Sequence, residues 1–284
     1  MKLYQIKNLT YSYPGTQKEI VKNIHFDVEE GEIFGLLGRS GAGKSTTQKI
    51  LVRLLRDFKG EIFYKGKDLK SYGNAFYEDV GVGFEMPVHF NKLTAKENLV
   101  YFSKLYKSKA DLDSLLTQVG LYDYRNQNVG EFSKGMKVRL NFIRALINNP
   151  KLLFLDEVTN GLDPGNAKNI KKMIADFRKG GGTVFLTTHL MNDVEELCDR
   201  VAFLSEGKIV ETNTPRQLKL KYGRRTIKIE YRGKDGLKEK VFGLDGLGKN
   251  SEFIQLITEQ PIETAHTGET SLEEIFIQLI GDKL

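Results

Sequence analysis

Apolar and polar residues alternate over 3–9 and again over 20–28, the two-residue period of half-buried strands, and the turn pair Pro14-Gly15 between them predicts antiparallel pairing. The period then changes. Residues 32–37 are a short apolar run ending in a glycine-rich turn, and a helical spacing of apolar positions follows from Lys44 to about Leu55, so a buried strand is expected to feed a helix. Further apolar strand signals at 80–84, 152–155, 183–186 and 201–204 are separated by helix-length segments. That alternation predicts an α/β fold with a largely parallel sheet flanked by helices, preceded by a small antiparallel β subdomain.

Between about 88 and 135 the strand signals stop, and helical patterns such as 95–107 and 112–119 take over, as expected of an inserted helical subdomain. After Tyr222-Gly223 the texture changes again. Short alternating runs at 226–232 and 238–242 are followed by a polar, glycine-containing stretch and a closing helix from about Ser271 to Ile280. Ser271 stands three residues before Glu274, the spacing with which a helix start satisfies its free amides. The expected division is therefore a main domain at 1–222 and a small α+β appendage at 223–284.

Composition narrows the class. Hydrophobic residues make up 40% and charged residues 28% of the 284, ordinary values for a globular chain with a sizeable core. No run approaches the roughly 18 apolar residues that cross a bilayer, and Met1-Lys2-Leu3-Tyr4-Gln5 lacks the apolar centre of a secretory leader, so a cytoplasmic location is expected. The single cysteine, Cys198, agrees with a reducing compartment and reads as a small core residue. The balance of 43 basic to 37 acidic residues gives +6, but the charges are interspersed. The tightest cluster, Lys219, Lys221, Arg224 and Arg225, reads as a solvated linker, and no nucleic-acid partner is expected.

Gly38-Arg39-Ser40-Gly41-Ala42-Gly43-Lys44-Ser45, followed by Thr46, matches the phosphate-loop pattern at every specified position, between the expected strand and helix. Glycines let the backbone amides wrap phosphate oxygens with no side chain in the way, and the helix N-terminus adds its positive dipole end. Lys44 is placed to reach the β and γ phosphates, and the Ser45 hydroxyl to ligate Mg²⁺. The second element is the apolar strand 152–155 ending in Asp156-Glu157. Asp156 is positioned to orient Mg²⁺ through its water shell, and Glu157 to polarise an attacking water.

Just before that strand, Glu131-Phe132-Ser133-Lys134-Gly135-Met136-Lys137 resembles the signature of ABC ATPases, Leu-Ser-Gly-Gly-Gln, with Ser133 and Gly135 matching and Phe132 and Lys134 departing. The resemblance covers 1 to about 222 and implies the ABC ATPase variant of the P-loop NTPase fold, with ATP and Mg²⁺ as ligands. By the same resemblance Tyr13 stacks on adenine, Asp163 closes the D-loop Asn160-Gly161-Leu162-Asp163, and His189 is the switch histidine at the γ-phosphate. Glu85 occupies the Q-loop position, where the family has Gln. It is expected to remain a metal-side ligand and a relay to a membrane partner.

The family also implies a dimer, of two copies or with a related ATPase, in which Ser133 and Gly135 of one subunit face residues 38–45 of the other. It further implies an integral-membrane permease and a place on the cytoplasmic face of the cell membrane. The segment from 223 resembles the appendage of drug-export and ABC-2-type ATPases, most of all the fluoroquinolone-export type, so export is expected. The alternatives are a soluble ABC ATPase acting on nucleic acid or ribosomes, which usually carries long coiled coils or two cassettes, and a degenerate binding module, which intact Lys44, Asp156, Glu157 and His189 argue against.

Overall fold

The computed structural model describes residues 1–85, 88–233 and 236–281, and the chain divides into two compact units, Met1–Asn213 and Thr214–Leu284. The first begins with β1 (Lys2–Ser12) and β2 (Glu19–Glu29), followed by β3 (Ile33–Leu37), α1 (Lys44–Leu51), β4 (Lys59–Tyr64) and β5 (Lys67–Asp68). β1, β2, β4 and β5 form an antiparallel sheet in the order β2-β1-β4-β5. Next come β6 (Val80–Gly83), α2 (Ala95–Ser103), α3 (Leu112–Gln118), α4 (Lys134–Arg144), β7 (Leu152–Asp156), α5 (Pro164–Lys179), β8 (Thr183–Thr188), α6 (Met191–Leu197), β9 (Arg200–Ser205) and β10 (Lys208–Asn213).

The second sheet runs β10-β9-β3-β8-β7-β6, with β10 antiparallel at one edge and the other five strands parallel. Its centre is covered on both faces, which is why β3 and β7 are buried at every residue and read as unbroken apolar runs. Tyr4 and Phe26 of the first sheet pack on Phe34, Phe154 and Phe185 of the second, with Phe26 stacked on Phe34 at 5.3 Å between centroids. This apolar junction fixes the strand ends from which the loops of the site emerge.

α4 lies hard against β6. A β-carbon on Gly81 would stand 1.8 Å from the Ala145 carbonyl oxygen, so only glycine permits that approach. Three hydrogen bonds, spaced along α4 at residues 137, 141 and 144, then hold Phe84, Val88 and His89 to that helix. His89 Nε2–H donates to the Lys137 carbonyl at 3.0 Å, Asn141 Nδ2 donates to the Phe84 carbonyl at 2.7 Å, and Arg144 donates to the Val88 carbonyl. Burial, aided by the neighbouring Arg144 and Lys137 charges, pulls His89 down to about 4, so it holds this position as a neutral ring.

The second unit comprises α7 (Pro215–Tyr222), β11 (Arg225–Gly233), β12 (Gly236–Gly243), α8 (Ser251–Glu259), β13 (Ile262–Glu269) and α9 (Leu272–Ile280). Its antiparallel sheet runs β12-β11-β13, and Leu256 and Phe253 of α8 pack on Ile229 and Phe242. α9 opens with the full capping box of Ser271 and Glu274.

The structure departs from the sequence expectations at definite places. The break between units falls at 213 and 214, ahead of the expected 222, because α7 packs against α9 through a face that includes buried Leu218. α1 stops at Leu51 and not near 55, since the chain reverses through Arg53 at φ 62°, whose guanidinium is tied to the Tyr72 and Gly73 carbonyls. The expected polar stretch after 242 contains α8 and β13. Among the described residues no helix is long and apolar enough to cross a membrane.

Candidate functional site

The loop 38–43 joins the end of β3 to α1, and its path depends on glycine. Gly43 has φ +110°, and a β-carbon there would lie 2.9 Å from the Ile20 carbonyl oxygen. No side chain caps α1, so its first amides are left for another acceptor. Lys44 folds back over the loop, its Nζ donating to the Gly38 carbonyl at 2.7 Å and the Arg39 carbonyl at 3.2 Å. Burial lowers the Lys44 ammonium from the ordinary lysine value, opposed by the charges of Glu157, Asp156 and Glu85.

Opposite the loop stand the ends of β7 and β8. Asp156 is 5% exposed and accepts from Thr187 Oγ1, which also approaches Gln48 Oε1 at 3.1 Å. The next residue, Glu157, leaves the strand at φ 51°, a left-handed conformation that costs a side chain about 1–3 kcal/mol and gathers at functional sites. Its amide donates to the Thr187 carbonyl at 3.0 Å, and its carboxylate is held twice: Thr188 Oγ1 donates at 3.2 Å and His189 Nδ1 lies at 2.8 Å.

These groups line one cleft of about 610 Å³, with Arg39, Ser40, Gly41, Gly43, Lys44, Ser45, Thr46, Glu85, Asp156, Glu157 and His189 on its walls. Gly38 and Ala42 complete the loop behind them. Tyr13 hydrogen-bonds through its hydroxyl to Thr46 Oγ1 at 3.1 Å and meets Tyr11 edge-on at 5.2 Å. Sequence reasoning had missed Ile20, Thr187, Thr188 and Gln48. Of these, only Thr187-Thr188 carried a signal, as hydroxyls directly preceding His189.

The cleft wall presents three carboxylates, Glu85, Asp156 and Glu157, against two permanent cations, Arg39 and Lys44. A triphosphate entering it therefore needs a cation at the acidic side. The oxygen donors on its wall include Ser45, Asp156 and Glu85, and no cluster of three or more His, Cys, Asp or Glu among the described residues forms a self-sufficient metal cage. Such a donor set fits Mg²⁺, which keeps waters and takes phosphate oxygens beside one or two carboxylates.

Ser133, Gly135 and Asp163 do not line this cleft. Ser133 caps α4, its Oγ accepting from the Met136 amide at 3.2 Å, and Asp163 caps α5, accepting from the Asn166 amide at 3.0 Å. The two segments are neighbours: the Lys134 side chain lies over Gly161, and Gly135 faces Leu162.

Comparison with known proteins places this arrangement. Residues 21–160 match the family described as ABC transporter, and residues 225–269 match the fluoroquinolone efflux ABC transporter C-terminal domain. The chain is 48% identical over 282 residues, 99% of its length and 94% of the relative's, to a fluoroquinolones export ATP-binding protein of Mycobacterium tuberculosis. It is 34% identical over 296 residues, 96% of each chain, to a bacitracin transport ATP-binding protein of Bacillus licheniformis. A solved ATP-binding subunit of an ABC transporter superposes with a TM-score of 0.70 at 26% identity, covering 78% of this chain and 93% of that one. A dimeric ATP-binding cassette in a post-hydrolysis state, bound to ADP and phosphate, shares the fold with a TM-score of 0.68 at 24% identity, over 74% of this chain and 98% of that one. The chain belongs to the ABC transporter ATP-binding proteins, and it is an ATPase of that family. Within the family its likeness is to the fluoroquinolone-export type, in the cassette and in the second unit alike.

Proposed function

We propose that this chain is the motor of a drug exporter, binding two MgATP in a dimer and driving a separate integral-membrane permease from the cytoplasmic face. The observation that carries this reading is the incompleteness of the cleft. Lys44, Asp156, Glu157 and His189 share it, while Ser133, Gly135 and Asp163 sit on another part of the same unit. Ser133 spends only its acceptor capacity on the helix cap, so its hydroxyl proton and the α4 amides suit a γ-phosphate presented by a second subunit. Near-full-length similarity to export and transport ATP-binding proteins favours a transporter over a soluble ATPase acting on nucleic acid or ribosomes.

In this reading Tyr13 stacks on the adenine, and the amides of 38–46 with Lys44 cradle the phosphates. Glu157 accepts the proton of the attacking water, and His189 keeps that carboxylate aimed while contacting the γ-phosphate. Ser45, Asp156 and Glu85 would hold Mg²⁺, which when bound offsets the negative charge on the phosphoryl oxygens. Glu85 precedes the segment fixed to α4, so its position is shared with the helix that Ser133 begins.

Glu85→Gln tests the metal assignment. The Mg²⁺ concentration for half-maximal ATPase rate is expected to rise about tenfold, and an unchanged Mg²⁺ titration removes Glu85 from the metal side. The physiological role is tested by purifying the tagged chain from detergent-solubilised native cells. Recovery of a multi-span membrane protein in near-equal amount is expected, whereas ribosomal or DNA-associated partners alone would overturn the exporter reading.

A further inference from the structure

Behind the cleft lies a buried polar cluster that none of the roles above uses. After Glu157 the chain makes two consecutive turns, with Asn160 N donating to the Glu157 carbonyl at 3.0 Å and Leu162 N to the Thr159 carbonyl at 3.2 Å. Thr159, 8% exposed, sits at the corner, and its hydroxyl donates to Oδ2 of Asp193, also 8% exposed. The other carboxylate oxygen of Asp193 pairs with Lys171 Nζ at 3.4 Å, and Lys171 in turn holds Glu196. A buried carboxylate is tolerable only with such partners, so the three elements that meet here constrain one another.

Their connectivity gives the cluster a direction. Thr159 lies two residues beyond Glu157. Asp193 lies four residues beyond His189, in the first turn of α6. Lys171 sits on α5, the helix that Asp163 caps. The segment carrying His189 is thus fastened to the Glu157 turn at both ends: in front by the His189 and Thr188 bonds to the carboxylate, and behind by Asp193 to Thr159. We propose that Thr159, Asp193 and Lys171 form a positioning latch that transmits the placement of Asp163 to His189 and so sets the His189–Glu157 geometry within one subunit. The latch rests on the roles assigned above to Glu157 and His189. A partner that shifts Asp163 moves the start of α5, the lysine on α5 carries Asp193 with it, and α6 re-aims the histidine.

Thr159→Val removes the hydroxyl while keeping the shape, and Thr159→Ser keeps the hydroxyl. The valine variant is expected to lose about tenfold in kcat with its KM for ATP held within about twofold, while the serine variant turns over as wild type. If the latch acts through His189, adding Thr159→Val to His189→Ala costs nothing further, because coupled groups do not add. A wild-type kcat in Thr159→Val, equal losses in the valine and serine variants, or losses that multiply with His189→Ala would each overturn the latch. Glu157→Gln is run beside them: a wild-type rate there removes the site assignment and the latch together, whereas a silent Glu157→Gln beside a fully active Thr159→Val removes the latch alone.

Discussion

Lys44→Met is expected to lower kcat/KM for ATP by about 10³-fold, the scale of losing one well-placed donor to developing charge in a site that excludes water. Methionine matches the length of the lysine stem and suits a position that is 8% exposed, so the fold should survive. What disappears is charge. The cleft then presents Glu85, Asp156 and Glu157 with, among the described residues of its wall, Arg39 as the remaining permanent cation, and the phosphates lose the ammonium that lies at the Gly38 and Arg39 carbonyls. The hydrogen bonds to those carbonyls place the ammonium at the mouth of the loop, where a phosphate oxygen would offer it a further acceptor. Steady-state ATPase assays with binding of a fluorescent ATP analogue measure the effect. A loss smaller than about tenfold would mean that the loop amides alone bind the phosphates, and the assignment of Lys44 would fall.

The sequence is most legible where one residue type is dictated by one physical need. Residues 38–45 were legible because a loop that exposes amides to phosphate needs glycine where Cβ has no room, and Gly43 meets both conditions, with φ +110° and the Ile20 carbonyl beside it. Asp156 and Glu157 were legible as charges ending a strand buried at every residue. His189 looks on composition like any other histidine of the chain, and only its place, after the strand signal at 183–186, in the order of elements of the ABC ATPases that the chain resembles singles it out. Its bond to Glu157, by contrast, joins residues 32 apart and is made by the pairing of β7 with β8. The Thr159–Asp193 contact was illegible for the same reason.

In the second unit, β13 is exposed along almost all its length, so no apolar alternation marks it, and α8 follows a glycine-containing stretch, 243–250, that reads as loop. The strand β4 and the edge strand β10 bury too few residues to repeat a pattern. Sequence pattern reports burial, and elements placed by hydrogen bonding at a surface leave little trace in it.

Glu157→Gln is expected to separate binding from chemistry. The amide keeps an oxygen to accept from Thr188 Oγ1 and a second atom to meet His189 Nδ1, so the φ 51° turn and both contacts that aim the side chain survive. It cannot take a proton from water, and the loss of a positioned base is worth about 10²–10⁴ in rate. Removing one negative charge from a wall that carries three also makes the cleft more hospitable to an unhydrolysed γ-phosphate. The two effects act together. ATP is expected to stay bound and, if the proposed shared site is right, to hold against it a second subunit whose Ser133 and Gly135 lie away from that subunit's own cleft. Size-exclusion chromatography with light scattering, at micromolar protein in MgATP, should show the variant as a dimer, while wild type returns to monomer as it turns over. A monomeric Glu157→Gln with ATP bound would sink the shared-site geometry even if its ATPase rate had vanished. A dimer that persists without nucleotide would place the contact elsewhere than across the phosphates.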